Sequence, residues 1–242
     1  MKAIIGFFMA WGMFLAIPCP VKRWEESARP YMLAAFPLTG LMIGGLWSGA
    51  SLLLSFLPRT VFALLMAALP WLCTGFIHLD GFMDVCDAVL SRRDLATRQK
   101  ILKDPHCGAF GVISIVLLIL SQWSLFASSS LFHWSPLLFL PVVSRACAGL
   151  AILLLPPMGT SQYAQISGKR GGFLLFLCTI LAAAAILPFI LCRSFSGFAV
   201  TAVYWLCAWR GCRQLGGMNG DISGFSLTCA ELAGIAVLIL VR

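Results

Sequence analysis

Apolar residues fall in long blocks with little alternation inside them. The blocks cover 32–57, 60–77, 109–128, 131–155, 173–192, 196–209 and 227–241, with a shorter first one over 3–17. A hydrocarbon core of roughly 30 Å takes about 20 apolar residues per helix, and a lone segment in lipid must satisfy its own backbone, which a helix does. The pattern therefore predicts an all-α, polytopic transmembrane helix bundle of about seven to eight membrane segments. Two blocks are weaker. Block 196–209 is short for a full crossing, and the first ends in "IPCP", whose prolines break a helix, so either is re-entrant or thins the membrane.

Composition narrows this further. The chain is 60% hydrophobic and 11% charged over 242 residues, against about a quarter charged in soluble domains. One integral membrane domain over 1–242 is expected, with no soluble domain beside it. Lys2 and the apolar run after it resemble a signal peptide, but "IPCPVKRW" has no small-residue cleavage site, so the segment is expected to stay in the mature chain. Ten cysteines are scattered without metal-like spacing and read as packing thiols. The net charge of +8 comes without an aromatic-interleaved basic patch, which argues against nucleic acid as a partner.

In a membrane protein the basic residues report orientation first. With the connection over 78–108 placed in the cytoplasm, Lys22, Arg23, Arg29, Arg92, Arg93, Arg98, Lys100, Lys103, Lys169, Arg170, Arg210 and Arg213 gather on that side. Arg59, Arg193 and Arg242 face away, Lys2 is unassigned, and Arg145 lies inside a span, where it needs a partner or an aqueous cavity. Glu25, Glu26, Asp80, Asp84, Asp87, Asp94, Asp104 and Asp221 fall on the same cytoplasmic side, with Glu231 one turn into the last span. Chemistry, where there is any, faces the cytoplasm. No internal repeat matches the acidic segment to a second half, which weighs against an inverted-repeat transporter.

The stretch "HLDGFMDVCDA" sets three aspartates where an apolar block ends. On a helix, Asp84 lies about 40° and Asp87 about 20° from Asp80 around the axis, so all three share a face. Repelling carboxylates near lipid need a cation or a wet interface, and Mg²⁺ suits them, since it takes one or two carboxylates completed by water and phosphate oxygens. The plainer alternative is the polar end of a helix. Next, "RRDLATRQKILKDPHCGAFG" carries Arg92, Arg93, Lys103 and Asp104. It reads either as a solvated loop or as a phosphate-binding lip in which the glycines let backbone approach a ligand at a helix start. Third, in "LGGMNGDISGF", Asp221 would complete a metal site or cap the last helix. Glu231 within apolar sequence is a functional candidate, with a buried pair to Arg145 as its structural alternative.

Together with "AAFPLTGLMIGG" over 34–45, these three stretches resemble, in order and spacing, the adenosylcobinamide-GDP ribazoletransferase family, also called cobalamin synthase. The likeness extends over nearly the whole chain. It implies an inner-membrane, Mg²⁺-using enzyme of bacteria or archaea that joins α-ribazole, or its 5′-phosphate, to adenosylcobinamide-GDP, giving adenosylcobalamin, or its 5′-phosphate, and GMP. Asp80, Asp84 and Asp87 match the acidic motif, Asp104 with Lys103 its KD pair, and Asp221 its GD pair. On that basis Asp80 and Asp84, with Asp87, are expected to hold Mg²⁺, and Asp87 or Asp104 to accept the hydroxyl proton. Lys103, Arg92 and Arg93 would steady the guanosine diphosphate, with His78, Asp221 and Glu231 as further substrate contacts. His78 lies about 160° from Asp80 on an ideal helix, which disfavours it as the base.

Besides membrane lipid, the resemblance admits a homo-oligomer and other cobalamin-assembly enzymes as partners. Ala16, Val85, Ala88, Pro105, Cys107 and Asn219 depart from the family pattern, and none of these removes a carboxylate. Two other readings compete. CDP-alcohol phosphotransferases also set spaced aspartates beside a membrane, but here Asp84 and Val85 stand where their D-G-x-x-A-R pattern has Ala and Arg. A non-enzymatic transporter predicts flux without turnover.

Overall fold

The computed structural model describes residues 1–129, 135–159 and 170–241. Within them the chain is helical: α1 Lys2–Phe14, α2 Arg29–Leu53, α3 Arg59–Cys73, α4 Ile77–Leu90, α5 Leu95–Ile101, α6 Ala109–Ser128, α7 Ser135–Leu154, α8 Arg170–Cys192, α9 Ser196–Leu215 and α10 Gly220–Leu240. Five stretches are long and apolar enough to cross a membrane: Glu26–Leu53, Ala109–Ser128, Ser135–Leu154, Gly172–Cys192 and Gly220–Leu240. α3 and α4 add a sixth if they count as one broken span. The protein is a multi-pass membrane protein. Reaching seven or eight would need α1, about 20 Å long by its 13 residues, and α9, whose apolar run ends at Arg210 and Arg213.

Block 60–77 is not a straight rod. Gly75 and Phe76 both take left-handed backbone, at φ 58° and 65°, so α3 stops at Cys73 and α4 departs at 92° to it. Left-handed Phe76 is costly for a residue with a Cβ and is held by its surroundings; its amide bonds the Trp71 carbonyl at 3.0 Å. The bend turns the acidic motif away from the α3 axis. The segment between α4 and α6, which looked like plain loop, contains α5, started by Asp94 accepting from the Thr97 amide at 3.0 Å. The Thr97 hydroxyl and amide hold the Asp94 carboxyl below its usual range.

The last helix begins seven residues before its apolar block, because Asn219 caps it by accepting from the Ile222 amide at 2.9 Å. Polar Gly220–Ser223 thus belongs to α10. Glu231 lies three turns inside the helix rather than one, and Asp221 occupies its first turn.

α2 packs against α7 without room for side chains between them. A Cβ at Gly40 would sit 2.3 Å from the Pro141 carbonyl oxygen, and one at Gly44 2.2 Å from that of Leu138. Small residues four apart let helices approach in lipid, where packing rather than the hydrophobic effect drives association. Gly44→Ala should cost about 1–3 kcal/mol as overpacking, seen as a lower midpoint in denaturation of the detergent-solubilised protein.

Candidate active site

α4 and α10 cross in opposite directions at glycine contacts. A Cβ on Gly81 would meet the Asp221 Cα at 2.9 Å, and one on Gly224 the His78 carbonyl oxygen at 3.1 Å. No larger residue fits at Gly81 without moving backbone. The crossing sets Asp221 beside the α4 carboxylates, so that the charges of Asp80, Asp221 and Asp87 all act on Asp84, and that of Asp80 acts on Asp221.

A second constraint fixes the turn before α10. Met158 donates its amide to the Met218 carbonyl at 2.9 Å, and Met218 donates to that of Pro156 at 2.7 Å. Gly217, at φ 145°, leaves no space for a Cβ against Met158. The strap after α7 therefore positions Asn219, whose Nδ2 donates to Asp221 Oδ2 at 2.7 Å. Asn219 caps the helix, so Asp221 remains directed to the site.

Asp80 is exposed, while Asp84 and Asp221 are half-buried. None of the ion pairs among the described residues includes any of the three. Like charges set together without a cation are unfavourable, so this arrangement suits a bound cation. Among the described residues no three ligand-type side chains converge closely enough to hold an ion alone.

Asp87 has a different environment. It is 8% exposed, and its Oδ2 and Oδ1 accept from the Gly108 and Gly111 amides at 2.9 and 2.8 Å. The carboxylate caps the start of α6 and complements its positive end. A Cβ at Gly108 or Gly111 would fall 2.3 or 2.4 Å from those oxygens, so the glycines of "GAFG" admit the Asp87 side chain to a helix start. Asp87→Ala should lower stability by about 1.5–3 kcal/mol, the worth of a hydrogen bond to a charged group, in a denaturant titration where Asp80→Ala stays near wild type.

Asp104 accepts from the His106 amide at 3.0 Å and lies 2.7 Å from its Nδ1. These contacts hold its carboxyl below the usual range. Arg92, Arg93 and Lys103 are exposed, and Arg92 turns the chain at φ 54°. Glu231 takes its structural alternative: its Oε1 accepts from Arg145 Nη1 at 2.8 Å and from Ser144 Oγ at 2.7 Å, with both charges buried. His78 is 9% exposed, and its Nε2 has no hydrogen-bond partner. A cavity of about 150 Å³ opens beside Asp80, Asp221 and His78.

Comparison with known proteins adds to this geometry. A family profile described as cobalamin-5-phosphate synthase matches residues 6–239. An adenosylcobinamide-GDP ribazoletransferase of Clostridium perfringens is 36% identical over 95% of each chain. Proteins of the same name from Halalkalibacterium halodurans and Lachnoclostridium phytofermentans are 34% and 30% identical, covering 94% and 99% of this chain and 92% and 95% of theirs. No solved structure matches the chain.

Proposed function

Because the chain belongs to the cobalamin-5-phosphate synthase family, we propose that it is a membrane transferase joining α-ribazole, or its 5′-phosphate, to adenosylcobinamide-GDP. The products are adenosylcobalamin, or its 5′-phosphate, and GMP. The observation that carries the site assignment is the α4–α10 crossing, which brings Asp221 beside Asp80 and Asp84 at the edge of a cavity, with none of the three in an ion pair among the described residues.

The ribazole 3′-hydroxyl attacks the phosphorus attached to the cobinamide arm. A new P–O bond forms there, the bond to the bridging diphosphate oxygen breaks, and GMP departs with the electron pair. Asp80, Asp84 and Asp221 fit as the residues that would hold Mg²⁺, which when bound neutralises charge on the diphosphate. Asp87 stays outside this set because both its oxygens are engaged at α6. The hydroxyl proton needs an acceptor at the cavity, and Asp80 and Asp221 both line it. The Asp80 carboxylate accepts no hydrogen bond among the described residues, so an oxygen not given to the metal is open to that proton, whereas one Asp221 oxygen already accepts from Asn219. Asp104, turned to His106, is not in this position.

Arg92, Arg93 and Lys103 would steady the guanosine diphosphate by charge-assisted hydrogen bonds. The excess of basic residues at this end supports an orientation in which it faces the cytoplasm. Purified protein given adenosylcobinamide-GDP, α-ribazole and Mg²⁺ should release GMP in step with cobalamin formation. Flux of substrate across vesicles without GMP would instead support a transporter.

A further inference from the structure

The segment between α4 and α6 is anchored at its far end as well as at its Asp94 cap. Leu102, just past α5, is 6% exposed and belongs to the core that also holds Leu215 of α9 and Met218 of the following turn. Gln99 Nε2 donates to the Leu215 carbonyl at 2.8 Å. Arg98 Nη1 donates to the Gln214 side-chain oxygen and, at 3.4 Å, to the Gln214 carbonyl. These are carbonyls of the last turn of α9, which the helix itself leaves without partners. Gly216 and Gly217 follow at φ 87° and 145°, and a Cβ on Gly216 would stand 3.0 Å from Gln99 Nε2. Two glycines make this joint free to take many paths. The path to Asp221 is therefore fixed at its ends, by Gln99 before the glycines and by the Met218 pairing and the Asn219 cap after them.

We propose that Gln99 is a positioning residue for the Asp221 carboxylate: by holding the end of α9 it sets the turn before α10, and so ties the basic segment around α5 to the carboxylate cluster. The inference rests on the transferase reading above, in which Asp221 helps to hold the metal and Arg92, Arg93 and Lys103 steady the diphosphate. Arg92 and Arg93 precede α5 and Lys103 follows it, so the residues that grip the nucleotide belong to the same folded segment as Gln99. A simple helix cap is the competing reading, and loss of a cap lowers stability alone. Gln99 acts instead immediately before the two glycines that lead to Asp221. Slack at that joint displaces a carboxylate at the reacting centre, where a small misplacement is costly.

The test removes the donor and then restores it. Gln99→Glu keeps the shape of the side chain and sets an acceptor against the carbonyl. Gln99→Lys supplies a donor again at a helix C-terminus, where a cation is favoured. Each detergent-solubilised protein is titrated with Mn²⁺ in the presence of adenosylcobinamide-GDP and read by electron paramagnetic resonance. Gln99→Glu should bind the ion about tenfold more weakly than wild type, the size of effect carried by a contact remote from the ligand. Its kcat for GMP release should fall by a similar factor, with KM for α-ribazole unmoved. Gln99→Lys should recover most of both losses. Should Gln99→Glu fail to fold, Gln99→Leu, which sets no two acceptors together, must weaken Mn²⁺ binding in the same direction. A lower denaturation midpoint with unchanged Mn²⁺ affinity and kcat leaves Gln99 a helix cap and overturns the proposal, as does equal weakening in Gln99→Lys. A wild type that holds no Mn²⁺ sinks the metal reading and this inference with it, whereas equally tight binding in wild type and Gln99→Glu sinks this inference alone.

Discussion

Asp84→Ala should lower GMP release by about a thousandfold or more while the bundle stays folded, the size of effect expected when a preorganised charge at a reacting phosphate is removed. Asp84 lies between the other carboxylates on α4 and across from Asp221, so its loss weakens any shared cation. It makes no hydrogen bond to another element among the described residues, unlike Asp87. Stability and activity should therefore separate. Asp84→Ala loses turnover with near-native denaturation, whereas Asp87→Ala loses stability. Near-normal GMP release from Asp84→Ala would remove it from the reaction.

The second large effect is on stability. Arg145 is 1% exposed and pairs with Glu231, which is 6% exposed, in the middle of α7 and α10. Breaking a buried pair by removing one partner leaves an uncompensated charge and costs about 3–5 kcal/mol. Arg145→Ala should therefore unfold at markedly lower denaturant in detergent. Arg145→Met combined with Glu231→Leu should recover most of the loss, since an apolar pair of similar volume needs no desolvation of charge. If the single change were as stable as wild type, the pair would be irrelevant to the fold. If the double change were folded but inactive, Glu231 would return as a substrate contact. Ser144, which also donates to Glu231, makes the pair part of a small network rather than an isolated bridge.

Much of this was legible in the sequence because lipid imposes a crude and strong rule. Apolar blocks near 20 residues marked α2, α6, α7 and α8 within a few positions, and the acidic motif was placed on a helix. A pair between Glu231 and Arg145 was the structural alternative to Glu231 as a substrate contact, because neither charge can stand alone in hydrocarbon. What the pattern hid were features set by backbone conformation and tertiary approach. Block 60–77 is uniformly apolar, and nothing in its hydropathy reveals that Gly75 and Phe76 turn left-handed and bend the chain by 92°.

The glycines of "GAFG" were expected to let backbone approach a phosphate ligand at a helix start. The group seen there is the Asp87 side chain, 21 and 24 residues away in sequence, and local spacing cannot show that. Asn219 as the cap of α10 was readable from its type and place before the helix, but Asp221 two residues on offered the same chemistry. The Pro156–Met158 strap carried no signal, since its part in the site depends on a pairing with Met218 across the bundle.

The metal assignment is tested most directly by titrating the detergent-solubilised protein with Mn²⁺, a spectroscopic substitute for Mg²⁺, in the presence of adenosylcobinamide-GDP and without acceptor. Electron paramagnetic resonance should show one tightly held ion per chain, with affinity falling at least about tenfold in Asp84→Asn and in Asp221→Asn and staying near wild type in Asp104→Asn. Undiminished Mn²⁺ binding in a protein lacking the Asp80, Asp84 and Asp221 carboxylates together would contradict the account.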